Sequence, residues 1–331
     1  MSHQGRGHLN TNYLHCILSV TLSNPDKHYY YQVALMSPPP AEIIEAFGSE
    51  GQTKPVAGGR GLCYEVDGIV FKPSDGDDEA QWISELATNL LDLSPSSYRL
   101  ARPLAVLGQP GEFVYRGWTA STFVSGTAIS KSGNESTSPY ETIFRASRAF
   151  HADVADLIRE KPPATTHAIS NRWREADKVT WGEKTLDQVD NVSAETLALF
   201  QPLLDRLILA KKPFPEDEPI SQLIHADLTG NVLHGDEPGM APAIIDLTPF
   251  WRPAAYAEAI VVSDGLAWCG AGRDLVELYG TDEVRAQLLV RAMYWRCLTF
   301  AIDPDMAWIK ENLPRADYEG AVRIMCDVLG L

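Results

Sequence analysis

The stretch Leu223-Ile224-His225-Ala226-Asp227-Leu228-Thr229-Gly230-Asn231-Val232-Leu233, followed by Ala243-Ile244-Ile245-Asp246, gathers side chains that chemistry on a phosphate would use. The apolar runs on either side read as strands. His225, Asp227 and Asn231 therefore share one loop, and Asp246 ends the next strand. Phosphoryl transfer leaves little covalent work to a protein, so catalysis is positioning plus charge neutralisation. One carboxylate must accept or orient the proton of an attacking hydroxyl, and hard oxygen ligands must hold Mg²⁺ against the phosphates. Asp227 suits the first task, and Asn231 and Asp246 suit the second. His225 reads as a brace that holds the loop through a backbone hydrogen bond and has no need to titrate. Singly, a His-x-Asp loop is usually structural and an Ile-Ile-Asp strand end is common. The specific feature is their order: strand, His-x-Asp, Asn, strand, turn, strand, Asp.

That order resembles the signature of the aminoglycoside phosphotransferases and their relatives, among them choline, homoserine and fructosamine kinases. The resemblance spans roughly Pro38 to Trp268 and is strongest over 222–253. It implies an α+β, two-lobed protein-kinase-like fold, with a small N-terminal antiparallel β-sheet lobe carrying one helix and a larger, mainly helical C-terminal lobe. It also implies ATP and Mg²⁺, with Asp227 as catalytic base and Asn231 and Asp246 as magnesium ligands. The chain departs from the family pattern in two places. Ala226 stands where the family has Gly, and Asn231 follows Asp227 by four positions where the family has five. The His-x-Asp-Leu-Thr-Gly-Asn-Val-Leu form is similar to a chiefly actinobacterial subfamily. So are the segments Asp246–Pro253, Trp181-Gly182-Glu183 and Asp264-Gly265-Leu266-Ala267-Trp268.

In kinases a lysine that meets the α- and β-phosphates sits on a strand after a Gly-rich hairpin. Here Ala57-Gly58-Gly59-Arg60-Gly61 precedes Leu62–Val66, then Asp67-Gly68, then Ile69-Val70-Phe71-Lys72. An Asp-Gly pair between apolar runs is a strong hairpin signal. Gly58, Gly59 and Gly61 are expected to close over phosphate with their amides donating, and Lys72 to reach it. The loop is neither a Walker A sequence nor a strict GxGxxG. Lys72 should pair with a helix carboxylate. Glu79 is the first choice, because it shares the inward face of a helix over 78–91 with Ile83, Leu86 and Leu90. Glu85, on the opposite face, is the second. For either, the plain alternative is a solvated helix charge. Thr122-Phe123-Val124-Ser125-Gly126 resembles the hinge between lobes, where backbone groups of Thr122 and Val124 would bond the adenine edge.

These elements imply a division into 1–36, a disordered N-terminal extension; 37–126, the nucleotide-binding lobe; and 127–331, the lobe with the catalytic loop, the metal ligands and the acceptor site. A short helix is expected at 41–47, and strands at 104–107, 112–115 and 118–124. Residues 127–139 read as a loop, and helical spacing dominates afterwards. Blander readings suit the other polar residues. His151 looks like a packing histidine, Asp153, Asp156 and Glu160 like a solvated helix face, and Arg252 like either a phosphate contact or a structural cap.

Lysine and arginine total 28 against 44 aspartates and glutamates, for a formal charge of −16. Such a chain repels nucleic-acid phosphates and anionic membranes, and attracts a cationic acceptor such as an amine or amino sugar. Its five cysteines are scattered and never in CxxC spacing. That pattern excludes a disulfide framework and a zinc knuckle and suits the cytoplasm. No apolar run approaches the ~20 residues of a membrane span. The reading is therefore an ATP-dependent phosphotransferase acting on a hydroxyl of a small molecule. Two alternatives stay open. One is a pseudokinase, or nucleotide-binding regulatory module without turnover. The other is a protein kinase, which the missing Ala-Pro-Glu segment and the Leu247-Thr248 after Asp246 disfavour.

Overall fold

The Asp67-Gly68 turn sets the register of the N-terminal sheet. Both residues have positive φ, 50° and 79°, the type I′ geometry whose twist matches that of its flanking strands. It joins β2 (Tyr64–Val66) to β3 (Ile69–Pro73). With β1 (Lys54–Pro55), β5 (Val114–Tyr115) and β6 (Trp118–Thr122) they form an antiparallel sheet in the order β1-β2-β3-β6-β5. The computed structural model describes residues 37–56, 62–128, 137–162, 171–190, 192–215, 219–303 and 305–331. The expected extension at 1–36 and the Gly58–Gly61 loop lie outside these.

Alternation along β3 sends Phe71 into a small core and leaves Lys72 on the other face. That core is closed by α1 (Ala41–Ala46), whose Ile43 and Ile44 pack with Phe47, Val66, Phe71, Val106 and Ala120. Helix α2 (Asp77–Asp92) runs as its apolar spacing requires, with Leu86 and Leu90 buried. Residues 104–107 form no strand. Leu104 and Val106 donate single backbone bonds to Ala120 and Glu112, because Pro103 lacks a donor and turns around Gly108 and Gly111 interrupt the ladder.

A second sheet stitches the lobes together. Its order is β4-β10-β9-β7: β4 (Arg99–Leu100) and β7 (Thr127–Ala128) stand on either side of residues 101–126, and β9 (Val232–His234) and β10 (Ala243–Ile244) follow the loop from His225 to Asn231. Arg99 strengthens the seam by donating to the carbonyls of Ala241 and Ser125 at 2.8 and 2.9 Å. Helix α3 (Ser138–Leu157) then opens the large lobe. Asp153 on it accepts the Tyr98 hydroxyl at 2.7 Å. This corrects the expectation of a fully solvated acidic face, since the interlobe linker brings Tyr98 across the helix.

The remaining helices are α4 (Arg172–Thr180), α5 (Ala194–Ala210), α6 (Ala254–Trp268), α7 (Arg273–Tyr279), α8 (Glu283–Ala301), α9 (Met306–Asn312) and α10 (Tyr318–Leu329). Helix α8 lies in the middle of them, and every residue from Gln287 to Ala301 is buried. Its apolar residues fall on every side, among Arg285, Arg291 and Arg296, so it has to be enclosed, and α4, α5 and α6 pack around it. Among the described residues no helix is long and apolar enough to cross a membrane.

Gly126 decides how closely the chain before β7 approaches β9. Its φ is +151°, and a Cβ there would stand 2.6 Å from the His234 carbonyl oxygen and 2.7 Å from Leu233 Cβ. Gly126→Ala should therefore lower stability by about 1–3 kcal/mol through overpacking, measurable by urea denaturation. A change within experimental error would mean that this stretch is not pressed against β9.

Candidate active site

Strand register brings the motif residues together. In the β9–β10 pair, Leu233 faces Ala243 and Val232 faces Ile244. The next pair outward is Asn231 and Ile245, and the Ile245 amide donates to the Asn231 carbonyl at 3.0 Å. Asp246 is one residue further, two past the end of β10. It has φ +52°, a left-handed conformation uncommon for a non-glycine and typical of functional sites. Strand β8 (Gln222–His225) pairs with β11 (Pro249–Arg252), placing His225 opposite Pro249.

His225 braces both loops at once. Its Nδ1 accepts the amide of Asp227 at 3.3 Å and that of Thr248 at 3.2 Å. An imidazole nitrogen that accepts cannot carry the proton, so the proton is on Nε2, which donates to the Ile245 carbonyl at 3.2 Å. Behind it, His151 Nε2 accepts the His225 amide at 3.0 Å, and its Nδ1–H donates to Ser147 at 3.1 Å. Both imidazoles must be neutral for these contacts. Burial enforces this: it lowers His225 despite the pull of Asp227 and Asp246, and together with His225 it pushes His151 down to about 3.

The short loop closes tightly. Gly230 takes φ +83°, and the amides of Asn231 and Val232 both donate to the Leu228 carbonyl at 3.1 Å. Asn231 Nδ2 thereby reaches the Asp227 carbonyl at 2.7 Å and Oδ2 at 3.2 Å. Four residues of spacing thus suffice to join Asn231 to Asp227. On the other side, Asp227 Oδ1 accepts from Arg296 Nη2 at 3.2 Å, and Arg296 also pairs with Asp264 at 2.6 Å. Neither Arg296, a buried arginine on α8, nor the role of Asp264 on α6 was apparent from the motif. No sequence signal set Arg296 apart from Arg285 and Arg291 on the same helix.

Lys72 reaches across the cleft to the carboxylate of Asp246, and each side chain is a little over one-third exposed. Burial pulls the lysine pKa down, but Asp246 and Asp75 outweigh it and hold it above the ordinary value. The expected Lys72–Glu79 pair is corrected. Glu79 lies in the first turn of α2 and pairs with Arg174 of α4, whose guanidinium stands 5.5 Å from the centre of the Phe250 ring. Glu85 is exposed and accepts from Gln81 at 2.7 Å. At the hinge, the Thr122 amide donates to the Arg102 carbonyl at 2.9 Å, and its hydroxyl accepts the Arg102 amide. The expectation for Thr122 therefore narrows to its carbonyl. Val124 lies two residues on, half-buried. Arg252 is a clamp: it pairs with Asp177 and Glu183 and stacks 4.9 Å above Trp181, which fixes β11 to α4.

With Nδ2 turned to Asp227, the amide oxygen of Asn231 points elsewhere, and the Asn231 carbonyl is bonded to Ile245, the neighbour of Asp246. Among the described residues no group of three or more His, Cys, Asp or Glu side chains could hold a metal alone. One carboxylate and one amide oxygen fit Mg²⁺, which keeps several waters and takes phosphate oxygens for the rest of its octahedron.

No protein-family model matches the chain, and neither does any curated protein. Solved structures do. A microcompartment-associated aminopropanol kinase aligns over 91% of this chain and 98% of its own, with a TM-score of 0.55 at 15% identity. The apo form of a thermostable mutant of an aminoglycoside phosphotransferase covers 85% and 97%, with a TM-score of 0.55 at 16% identity. The chain has the aminoglycoside-phosphotransferase fold. A spectinomycin phosphotransferase in complex with ADP and spectinomycin has the same fold, over 88% and 98% with a TM-score of 0.52 at 16% identity. In this chain that two-lobed fold brings Lys72 from the small lobe against Asp246 from the large one.

The two histidines make a prediction about acid. Between the ordinary histidine pKa and about 3, the unfolded chain binds a proton that folded His151 refuses. Stability should therefore fall as pH drops through that window, by about 1.4 kcal/mol per pH unit for this one group. His151→Gln should flatten the dependence by that amount between pH 6 and pH 4. Parallel urea-denaturation curves for variant and wild type would show that His151 is not held neutral.

Proposed function

We propose that the chain transfers the γ-phosphoryl group of ATP to a hydroxyl of a small molecule. The observation that carries this reading is the meeting of Lys72, Asp246, Asn231 and Asp227 at one cleft from separate strands and loops. The spectinomycin phosphotransferase of the same fold was solved with ADP and spectinomycin, which supports a nucleotide and a small acceptor here.

In this reading Lys72 meets the α- and β-phosphates, and the Gly58, Gly59 and Gly61 loop covers them. The Thr122 carbonyl and the Val124 backbone face the adenine edge. Asp246 and the amide oxygen of Asn231 hold Mg²⁺, which supplies neutralisation of the phosphate charge. Asp227 is oriented by Asn231 and takes the proton of the acceptor hydroxyl. His225 keeps both loops in register without titrating. The formal charge of −16 favours a cationic acceptor, and the His-x-Asp-Leu-Thr-Gly-Asn form would place the chain in a subfamily of its own. The scattered cysteines agree with work in the cytoplasm.

One observation favours a module without turnover: Glu79 is engaged by Arg174, and Lys72 by a proposed metal ligand. Magnesium-dependent ATP turnover that Asp227→Asn abolishes would exclude that alternative.

Calorimetry with Mg·ATP tests the assignment. The wild type should bind only with magnesium, and Asp246→Asn should lose most of that binding. Asp227→Ala should keep ATP affinity within about threefold and lose at least ~100-fold in turnover. Lys72→Ala should weaken both. A Lys72→Ala protein that binds and turns over ATP normally would remove the lysine from the site.

A further inference from the structure

Arg296 is a guanidinium deep within the large helical core, and it is 2% exposed. Arginine stays charged under all physiological conditions, so a buried one must be compensated by partners. Asp264 of α6 supplies a buried carboxylate at 2.6 Å. The rings of Trp295 and Trp173 lie 4.6 and 5.2 Å from the guanidinium carbon, at cation–π distance. Asp264 alone neutralises the charge. Yet the same Nη2 makes a second contact, 3.2 Å long, to Asp227 Oδ1. Of the three charged groups, Asp227 is the most exposed, with 17% of its side chain accessible against 3% for Arg296 and 5% for Asp264.

The two oxygens of Asp227 are therefore not equivalent. Oδ1 is held from within the core by Arg296, and Oδ2 is approached by Asn231 Nδ2 at 3.2 Å. A carboxylate gripped at both oxygens by groups from α8 and its own loop cannot turn about its χ2 axis. We infer that Arg296, anchored by Asp264, is a positioning residue that fixes Asp227 so that Oδ2 is the oxygen presented to the acceptor hydroxyl. The inference rests on the phosphotransferase reading above. In that step the acceptor O–H proton passes to Asp227 Oδ2 as the new O–P bond forms. The β,γ-bridging oxygen leaves with the electron pair of the broken P–O bond, giving ADP. Arg296 touches neither substrate nor nucleotide and acts only through Asp227.

The test uses the full-length chain and Arg296→Lys, which keeps the charge but is too short to bring a donor to the position from which Nη2 reaches both Asp264 and Asp227. Leu298→Ala serves as the structural control, because Leu298 is fully buried on the same helix, two residues and so roughly 200° around it from Arg296. Three quantities are measured: thermal unfolding, Mg·ATP affinity by calorimetry, and steady-state ATP turnover to water. Arg296→Lys should keep ATP affinity and KM within about threefold and lose kcat by roughly 10- to 100-fold, the signature of a lost orienting contact. Leu298→Ala should lose stability with kcat unchanged. Should Arg296→Lys fail to fold, Asp264→Glu asks the same question by pushing the guanidinium one methylene towards the cleft, and the same kcat loss at constant affinity is expected. An unchanged kcat in the folded variant, or an equal loss in Leu298→Ala, overturns the positioning role. A wild type that binds Mg·ATP without any turnover overturns the phosphotransferase reading, and this inference with it.

Discussion

One imidazole nitrogen holds the site together. His225 Nδ1 accepts the amides of Asp227 and Thr248, so the loop with the proposed base and the loop after the proposed metal ligand share a single acceptor. That arrangement works only if the ring is neutral and cannot turn. Burial supplies the first condition, and the Nε2 bond to Ile245 supplies the second. His151 extends the same logic one layer back by receiving the His225 amide. The polar framework behind the catalytic loop is therefore a chain of neutral imidazoles. Such a chain carries geometry without adding charge beside two carboxylates.

Charge enters from two other directions. From the small lobe, β3 extends Lys72 to Asp246 across the cleft. From the core of the large lobe, α8 extends Arg296 to Asp227. The two cations approach from opposite sides, and each meets one of the two loops that His225 joins. A buried arginine is a costly element unless it is fully paired. Here it is paired on one side by a carboxylate that never sees solvent and on the other by one that does. Glu79 and Arg174 add a further pair between α2 and α4, linking the lobes away from the strands. The seam between lobes is thus both hydrogen-bonded, through β4 and β7 on β9 and β10, and ionic.

Much of this was legible in the chain itself. The Asp-Gly turn, the apolar alternation through Phe71 and the helical stripe of Leu86 and Leu90 depend on neighbours a few residues away, so pattern alone reports them. The loop from His225 to Asn231 is equally local, and strand register carries its geometry to Asp246. The partner of Glu79 was not legible. Arg174 lies 95 residues further along, and no local spacing favours it over Lys72. Thr122 shows the same limit on a smaller scale, because its amide is taken by Arg102 of a segment that pattern reads as unrelated.

The sequence by itself determined most element types, the two-lobed order and the identity of the four polar residues at the cleft. Each of these follows from short-range periodicity and from the chemistry of residue types. Only the tertiary structure decided which charges meet. Ion pairing depends on distance in space, and the pattern of α8 does not say which group each of its three arginines will face. Helix packing placed Arg296 between Asp264 and Asp227, and lobe closure placed Lys72 on Asp246. Both outcomes rest on long-range contacts that no window of the chain contains.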